Sequence, residues 1–344
     1  CMPHYVLYND DQAVACFDYA QGMIKAYKPM RIDLLPMQIC ATSADGFTSW
    51  IRERAIDLNV VQHRNLVSDL LGSRDKVHLA LMTHMFSISD TFTCFEENEF
   101  VPRKLLCNPK EHEAISDYIL LTSDTSLRNT MLITPNVSTD GSFTKTWKYE
   151  KGEWWLYKLQ SLQATRSEVE ISKVLMDCGW DAAEYRYVGS YRKQIKSRNF
   201  LGENEFFEPY DSFRYAFADI SEDEDVIMHN IASLGEACRR AWKRILIADA
   251  LFLNGDRHMR NFGVIRSTKT GKVLRLAPNF DNNQAYLGNP GGYYSAAMLK
   301  SYWRTADHED RANLRQLLDA CKKSKYLEQA WKAGMEVINS TRDS

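Results

Sequence analysis

Two short segments hold the residues best suited to chemistry. Asn254-Gly255-Asp256-Arg257-His258-Met259-Arg260-Asn261-Phe262-Gly263 sets an aspartate ahead of an asparagine in an Asp-x-x-x-x-Asn loop, and Leu276-Ala277-Pro278-Asn279-Phe280-Asp281 brings a second aspartate after it. Magnesium favours carboxylate and amide oxygens together with substrate phosphates. The set therefore suits phosphoryl transfer, with Asp256 accepting a hydroxyl proton and Asn261 and Asp281 holding the metal. Aspartate and asparagine are also common turn formers, and one such loop alone is more often turn chemistry than catalysis.

Lys158 adds weight to the chemical reading. In Trp154-Trp155-Leu156-Tyr157-Lys158-Leu159, alternation puts it on the face that carries Trp154 and Leu156. Such a lysine either snorkels at a sheet edge or pairs with an anion, and phosphoryl transfer needs the second arrangement, with a carboxylate from the following helix holding the amine. Glu168 and Glu170 are the acids available there. Ser167 and Glu170 have capping-box spacing, which gives Glu170 a structural task and leaves Glu168 as the candidate partner. Upstream, Thr139-Asp140-Gly141-Ser142-Phe143-Thr144-Lys145 reads either as an ordinary Asp-Gly hairpin or as a phosphate-covering loop in which Asp140, Gly141, Ser142 and Lys145 meet an anion.

These residues need strands and helices to position them. Strands are expected at Met131–Ile133, Phe143–Tyr149 and Glu153–Gln160, with a turn at Lys151-Gly152, and a helix is expected to start at Ser167 and end at Gly179. A long helix is expected from about Leu234 to Leu253, its apolar stripe running through Cys238, Trp242, Ile245, Ala248 and Phe252, with Asn254-Gly255 as a left-handed stop. Strands at Phe262–Arg266 and Val273–Ala277 then form a hairpin. Antiparallel pairing sets the start of one strand beside the end of its partner, so Asp256, Asn261 and Asp281 converge on one edge. Toward the N-terminus, Tyr5–Tyr8 and Ala13–Tyr19 read as strands, and the chain turns helical after Thr48. The polar stretch from Glu96 to Glu113 is the candidate linker.

The 344 residues, 44% hydrophobic and 26% charged, form a folded chain of about two domains' worth at roughly 150 residues each. A net charge of −2 supplies no global field for nucleic acid or an anionic membrane. The 8 cysteines are scattered without a C-x-x-C pair and read as reduced thiols. Asp10 and Asp11 interrupt the place of a signal peptide's apolar stretch, and no run reaches the roughly 18 apolar residues of a membrane span. A cytoplasmic location is the expectation. No Gly-x-x-x-x-Gly-Lys-[Ser/Thr] motif is present, which argues against a P-loop nucleotidase.

The order of lysine strand, acidic helix, long helix, Asp-x-His-x-x-Asn, hairpin and Leu-Ala-Pro-x-x-Asp resembles the HipA-like serine/threonine kinase family of bacteria. Asp256 to Asn261 matches its catalytic loop, Leu276 to Asp281 its metal-binding motif, and Ser167 to Lys173 looks like its lysine-partner helix. Thr139-Asp140-Gly141 with Lys145 and Trp147 is similar to the nucleotide loop of some members. The resemblance covers residues from about 130 to 300. It implies an α+β, two-lobed protein-kinase-like fold with an N-terminal α/β extension, divided into a family-specific module at 1–128, a kinase N-lobe at 129–200 and a mostly helical C-lobe at 201–344. It also implies ATP and Mg2+ as cofactors, with ATP near Ile195 to Phe200 as hinge and Lys196 among its contacts, transfer to a protein serine or threonine, and self-modification at Ser142 or Thr144. An antitoxin-like regulator is an expected partner; nucleic acid and membrane are not. His258 either moves a proton or braces the loop, and bracing is the reading taken. Arg257 and Arg260 either contact acceptor or phosphate or are solvated. Phe47, Trp50 and Ser87-Ile88-Ser89-Asp90 mark the N-terminal part as a divergent branch. Asp307, His308, Glu309 and Asp310 read as a solvated helix start. A phosphoinositide-type lipid kinase and a nucleotide-binding pseudokinase are the competing functions. The first lacks a basic membrane-facing stretch here, and the second would have lost one of Lys158, Asp256, Asn261 or Asp281.

Overall fold

The computed structural model describes residues 3–41, 44–55, 75–106, 113, 116, 144–190, 192–287 and 296–340. By internal contacts the chain divides into two units, Cys1–Leu159 with Leu201–Ile220 and Val264–Leu274, and Gln160–Phe200 with Ser221–Gly263 and Arg275–Ser344. The first unit therefore takes in pieces that the sequence division spreads over all three of its parts. The expected boundary at 128 to 129, the strand at Met131–Ile133 and the turn residues Asp140, Gly141 and Ser142 lie outside the described residues.

The first unit opens with a four-stranded sheet in the order Met23–Pro29, Gln12–Ala20, His4–Asn9, Phe92–Glu96. Its tight turns use Asp10-Asp11 and Gln21-Gly22, all at positive φ, the conformation that matches the twist of paired strands. Sequence reading misses the strand Met23–Pro29 because only Ile24 in it is buried, so it carries no alternation. One face of the sheet packs Leu7, Phe17, Ile24 and Phe92 against Phe47, Trp50 and Ile51 of the helix Ala44–Glu53. Burial at helical spacing makes that helix amphipathic. Phe47 and Trp50 are thus core residues, and Asp90 is a bidentate partner of Arg54, whose guanidinium lies 4.7 Å from the Trp50 ring centroid.

Strands Thr144–Glu150 and Glu153–Leu159 form a hairpin closed at Lys151 and Gly152, both at positive φ. A three-stranded sheet in the order Val273–Leu276, Gly263–Ser267, Glu205–Pro209 carries an ion pair that no local pattern announces. Arg266, fully buried, binds Glu208 and donates to the carbonyls of Asp33, Leu35 and Gly271 at 2.8, 2.9 and 2.8 Å. Glu208 also accepts from Met37 N and Ser212 Oγ at 2.6 and 2.7 Å. Every charge-bearing atom of the pair has a partner, the condition under which a buried ion pair is tolerated.

In the second unit, helices Leu162–Asp177, Glu236–Phe252, Ala297–Thr305, His308–Cys321 and Glu328–Ser340 share one core built from Ile171, Leu175, Leu251, Leu314, Leu317 and Ile338 among others. The helix expected to begin at Ser167 begins at Leu162, and its N-cap is Ser161, which accepts from Ala164 N at 3.1 Å. Ser167 is a buried mid-helix residue whose hydroxyl donates to Ala285 O at 2.8 Å. The capping role given to Glu170 therefore does not exist. Its carboxylate instead accepts from Ser324 Oγ at 3.2 Å.

The expected solvated helix start at Asp307 is instead a charge network. Asp307 and Asp310 make a true capping box. Lys243, side chain 10% exposed, reaches Asp307 and lies 3.2 Å from Asp310, while Arg239 holds Glu236 and Glu309. The six described cysteines are free thiols. No described helix is long and apolar enough to cross a membrane.

Candidate active site

Helix Glu236–Phe252 delivers the chain to the loop. It ends with Leu253 in the left-handed region (φ 54°, ψ 42°), one residue before the Asn-Gly pair expected to take that conformation. Asn254 is buried instead, with its N–H on Asp249 O and its Nδ2 on Asp249 Oδ1, both at 3.0 Å. Beyond the loop, strands Gly263–Ser267 and Val273–Leu276 run as expected, and Ala277 N donates to Gly263 O at 2.8 Å across the hairpin base. That closure brings the residues before the first strand beside those after the second.

Arg257 locks the two segments together. Its Nε and Nη2 form a bidentate pair with Asp249, 2.9 Å on each arm, and both side chains are 7% exposed. Nη1 donates to Asn261 O at 2.9 Å and to Phe280 O at 2.6 Å, while Nη2 also reaches Asn282 Oδ1 at 2.8 Å. One guanidinium thus joins the end of the helix, the Asp-x-x-x-x-Asn loop and the Phe280-Asp281-Asn282 turn. Arginine alone has the planar fork for this. Burial alone would lower its pKa, but the charge and hydrogen bonds of Asp249, with Asp281 adding to them, raise it above the ordinary guanidinium value. Of the two alternatives for Arg257, the solvated one is thereby excluded. Arg260 is exposed.

The Asp256 side chain is exposed, and its carbonyl accepts from Asn261 Nδ2 at 3.0 Å and from His258 N at 2.9 Å. With Nδ2 engaged, Oδ1 is the Asn261 atom left for a cation. His258 braces the loop: its carbonyl accepts from Asn261 N at 2.8 Å and its Nδ1 faces Arg260 N at 3.3 Å. Asp281 sits at φ 59°, a conformation aspartate tolerates. Its N–H donates to Tyr185 Oη at 3.1 Å, and its Oδ1 accepts from Asn283 Nδ2 at 3.1 Å. Asn283 Oδ1, buried beside it, has no hydrogen-bond partner among the described residues. An orphaned amide oxygen next to a carboxylate fits a hard cation. Among the described residues no three His, Cys, Asp or Glu side chains converge. The donor set is therefore one carboxylate with amide oxygens, which suits Mg2+ completing its shell with water and phosphate. Sequence reading passed over Asn283, whose only signal is its place two residues after Asp281.

The remaining candidates lie on other elements. Lys158 is 6% exposed on the strand Glu153–Leu159, and the register sets it directly opposite Lys145. Both lysines share a face with Trp147, Leu156, Tyr149 and Trp154. Trp147 packs against Phe86, Phe95 and Leu106, which makes it a core residue of the first unit rather than part of a nucleotide loop. Two ammonium groups directly opposite each other repel unless anionic groups lie close by. Glu168 is fully buried and accepts from Gln160 Nε2 at 2.9 Å. Lys196 lies on the strand Gln194–Arg198 opposite Arg186. The expected hinge, Ile195 to Phe200, ends where the chain passes from the second unit to the first.

No protein-family signature matches this sequence, and no curated protein matches it. Among solved structures the chain is similar to HipA of the Shewanella oneidensis MR-1 toxin–antitoxin system, solved with HipB and its operator DNA. The two are 10% identical over 97% of this chain and 91% of that one, with a TM-score of 0.57. It also matches a Helicobacter pylori proinflammatory kinase, CtkA, at 12% identity over 58% of this chain and 93% of that one, with a TM-score of 0.44. The chain has a mixed α/β fold structurally related to the HipA kinase-like fold.

Proposed function

We propose that the protein is an ATP- and Mg2+-dependent serine/threonine kinase of HipA-like, two-lobed design that transfers the γ-phosphate to a protein hydroxyl. The observation that carries this reading is the Arg257 clamp, which draws together the loop bearing Asp256 and Asn261 and the turn bearing Asp281. Asp256, exposed on a braced loop, accepts the proton of the attacking hydroxyl. Asn261 and Asp281 would hold Mg2+, with Asn283 Oδ1 as a further oxygen, and the ion supplies charge neutralisation on the transferred phosphoryl group. Lys158 and Lys145, register partners on one face of the hairpin, are assigned to the nucleotide's phosphates. His258 holds the loop in shape through its main chain. By likeness to HipA, a protein regulator is the expected partner, and the chain itself is assigned no contact with nucleic acid.

The test is to incubate the protein with ATP and Mg2+ and to follow ATP consumption and intact mass beside an Asp256→Ala control. ATP consumption or a gain of phosphate, absent in the control, supports the kinase. Tight nucleotide binding with neither turnover nor transfer to a panel of protein acceptors would leave a pseudokinase, and transfer to lipid vesicles alone would replace the protein acceptor by a lipid.

A further inference from the structure

We infer that the surface around Tyr326 in the second unit is a binding site for a phosphate monoester, held by Arg192, Arg166 and Lys325 together with the Tyr326 hydroxyl. Three cations from three separate segments meet there. Arg166 comes from the helix Leu162–Asp177, Arg192 from the turn ahead of the strand Gln194–Arg198, and Lys325 from the link between the helices His308–Cys321 and Glu328–Ser340. The Arg166 guanidinium lies 4.9 Å and Lys325 Nζ 5.1 Å from the Tyr326 ring centroid. Arg192 lies over the neighbouring Tyr187 ring, 5.0 Å from its centroid, and donates from Nη1 to Tyr326 Oη at 3.2 Å. Arg192 and Lys325 are exposed and Arg166 and Tyr326 half-buried, so solvent and solutes reach the group.

The backbone that carries these cations is tied down in advance. Thr165 Oγ1 donates to Arg192 O at 2.7 Å and Gln160 N to Lys193 O at 3.1 Å. These bonds hold Arg192 at φ 54°, a conformation that is costly for a residue with a side chain and that recurs at ligand clamps. Glu170, one turn after Arg166, accepts from Ser324 Oγ at 3.2 Å, and Tyr326 N donates to the same hydroxyl oxygen at 3.3 Å. The carboxylate whose charge reaches both tyrosines is thus spent on fixing the turn that bears Lys325 and Tyr326. Among the described residues none of the three cations has an ion-pair partner. Three cations against one carboxylate leave a surplus of two positive charges.

The ligand's chemistry follows from these donors. Tyr326 Oη accepts from Arg192, so its own O–H is left to donate, and it has no acceptor among the described residues. The bond from Arg192, with the charge of Lys325 adding to it, holds the phenol below its ordinary pKa and makes that O–H a stronger donor. A single acceptor beside Tyr326 Oη receives the hydroxyl and the remaining N–H groups of the Arg192 fork at once. A phosphate monoester accepts through three terminal oxygens and carries about −1.5 to −2 charge near neutral pH, which matches the surplus. A carboxylate brings one charge and two oxygens. A nucleic acid strand needs cations that track its backbone and bare aromatic faces on which bases stack, whereas here the cations gather on one tyrosine and its ring already carries two of them. The monoester belongs either to a free small molecule or to a phosphorylated side chain of a protein, and the two sources are separable.

The experiment is a ¹H–¹⁵N titration of the full chain that follows the backbone amide signals of Arg192 and Tyr326. The probes are inorganic phosphate, acetate, a single-stranded oligonucleotide, and an end-blocked peptide with one phosphoserine beside its unphosphorylated form. Inorganic phosphate or the phosphopeptide is expected to shift both signals saturably in the millimolar range, at least about tenfold more tightly than acetate. Arg192→Asn, which removes the cation and keeps a residue tolerant of positive φ, and Tyr326→Phe, which keeps the ring and removes the hydroxyl, are each expected to weaken that binding at least about tenfold. Should Arg192→Asn fold poorly, Tyr326→Phe decides alone. Binding of the phosphopeptide but not of its unphosphorylated form assigns a phosphorylated side chain; binding of inorganic phosphate alone assigns a free small molecule. No saturable shift with either phosphate probe, acetate binding as tight as theirs, undiminished binding in Tyr326→Phe, or tighter binding of the oligonucleotide would overturn the proposal. The outcome is independent of ATP turnover, so it can fail while the kinase reading stands.

Discussion

Replacing Arg257 by methionine separates what the clamp does for stability from what it does for geometry. Arg257 and Asp249 are each 7% exposed, so Arg257→Met leaves a buried carboxylate whose only remaining side-chain donor among the described residues is Asn254 Nδ2. Breaking a buried pair in this way costs about 3–5 kcal/mol, against a total stability of about 5–15 kcal/mol for a domain. Equilibrium urea unfolding should register that loss directly. Removing both charges together, as in Arg257→Met with Asp249→Leu, is expected to recover most of it, because paired apolar replacements of buried ion pairs are often neutral. ATP turnover should not recover. Asn261 O and Phe280 O lose their common donor in both variants, and a misplacement of about 1 Å costs about 100-fold in rate. Return of turnover together with stability in the double variant would reduce Arg257 to a stabilising residue and refute its role in shaping the site.

Three further outcomes follow from buried charge. Arg266→Met should destabilise the first unit by about 3–5 kcal/mol, and adding Glu208→Leu should restore part of that, read as shifts in the urea midpoint. Lys243 holds the Asp307 carboxylate, by hydrogen bonding first, at a pKa of about 2 instead of 3.8. The stabilisation is therefore complete above the unfolded value and lost as pH falls through about 2, so the stability gap between wild type and Lys243→Ala should narrow in that window. With Asp307 half exposed, this pH-dependent part is at most about 1 kcal/mol, measurable as urea midpoints at several pH values. Lys145→Ala should lower nucleotide affinity, read by calorimetric titration with a nonhydrolysable ATP analogue, and unchanged affinity would count against phosphate binding on that face of the hairpin.

Features that depend on neighbours in the sequence were the legible ones. The hairpins around Lys151-Gly152 and between Gly263 and Leu276 follow from turn residues and alternation, and so does the shared face of Lys158, Trp154 and Leu156. Asp256, Asn261 and Asp281 could be placed on one edge because a hairpin between them leaves little choice. The clamp role of Arg257 was not legible because its burial depends on Asp249, Phe280 and Asn282, segments that only the tertiary structure assembles. The same holds for Arg266, whose partners run from Asp33 to Gly271. Ser167 and Glu170 show a motif match without the motif: the helix had already begun at Leu162 behind the cap of Ser161, in a first turn too polar to register as a stripe.

Metal binding by Asn261 and Asp281 beside the nucleotide is measurable by calorimetric titration with a nonhydrolysable ATP analogue, with and without Mg2+. Mg2+ should raise affinity in the wild type and in Asp256→Ala, and that enhancement should vanish in Asp281→Ala. An equal Mg2+ effect in all three proteins would contradict it.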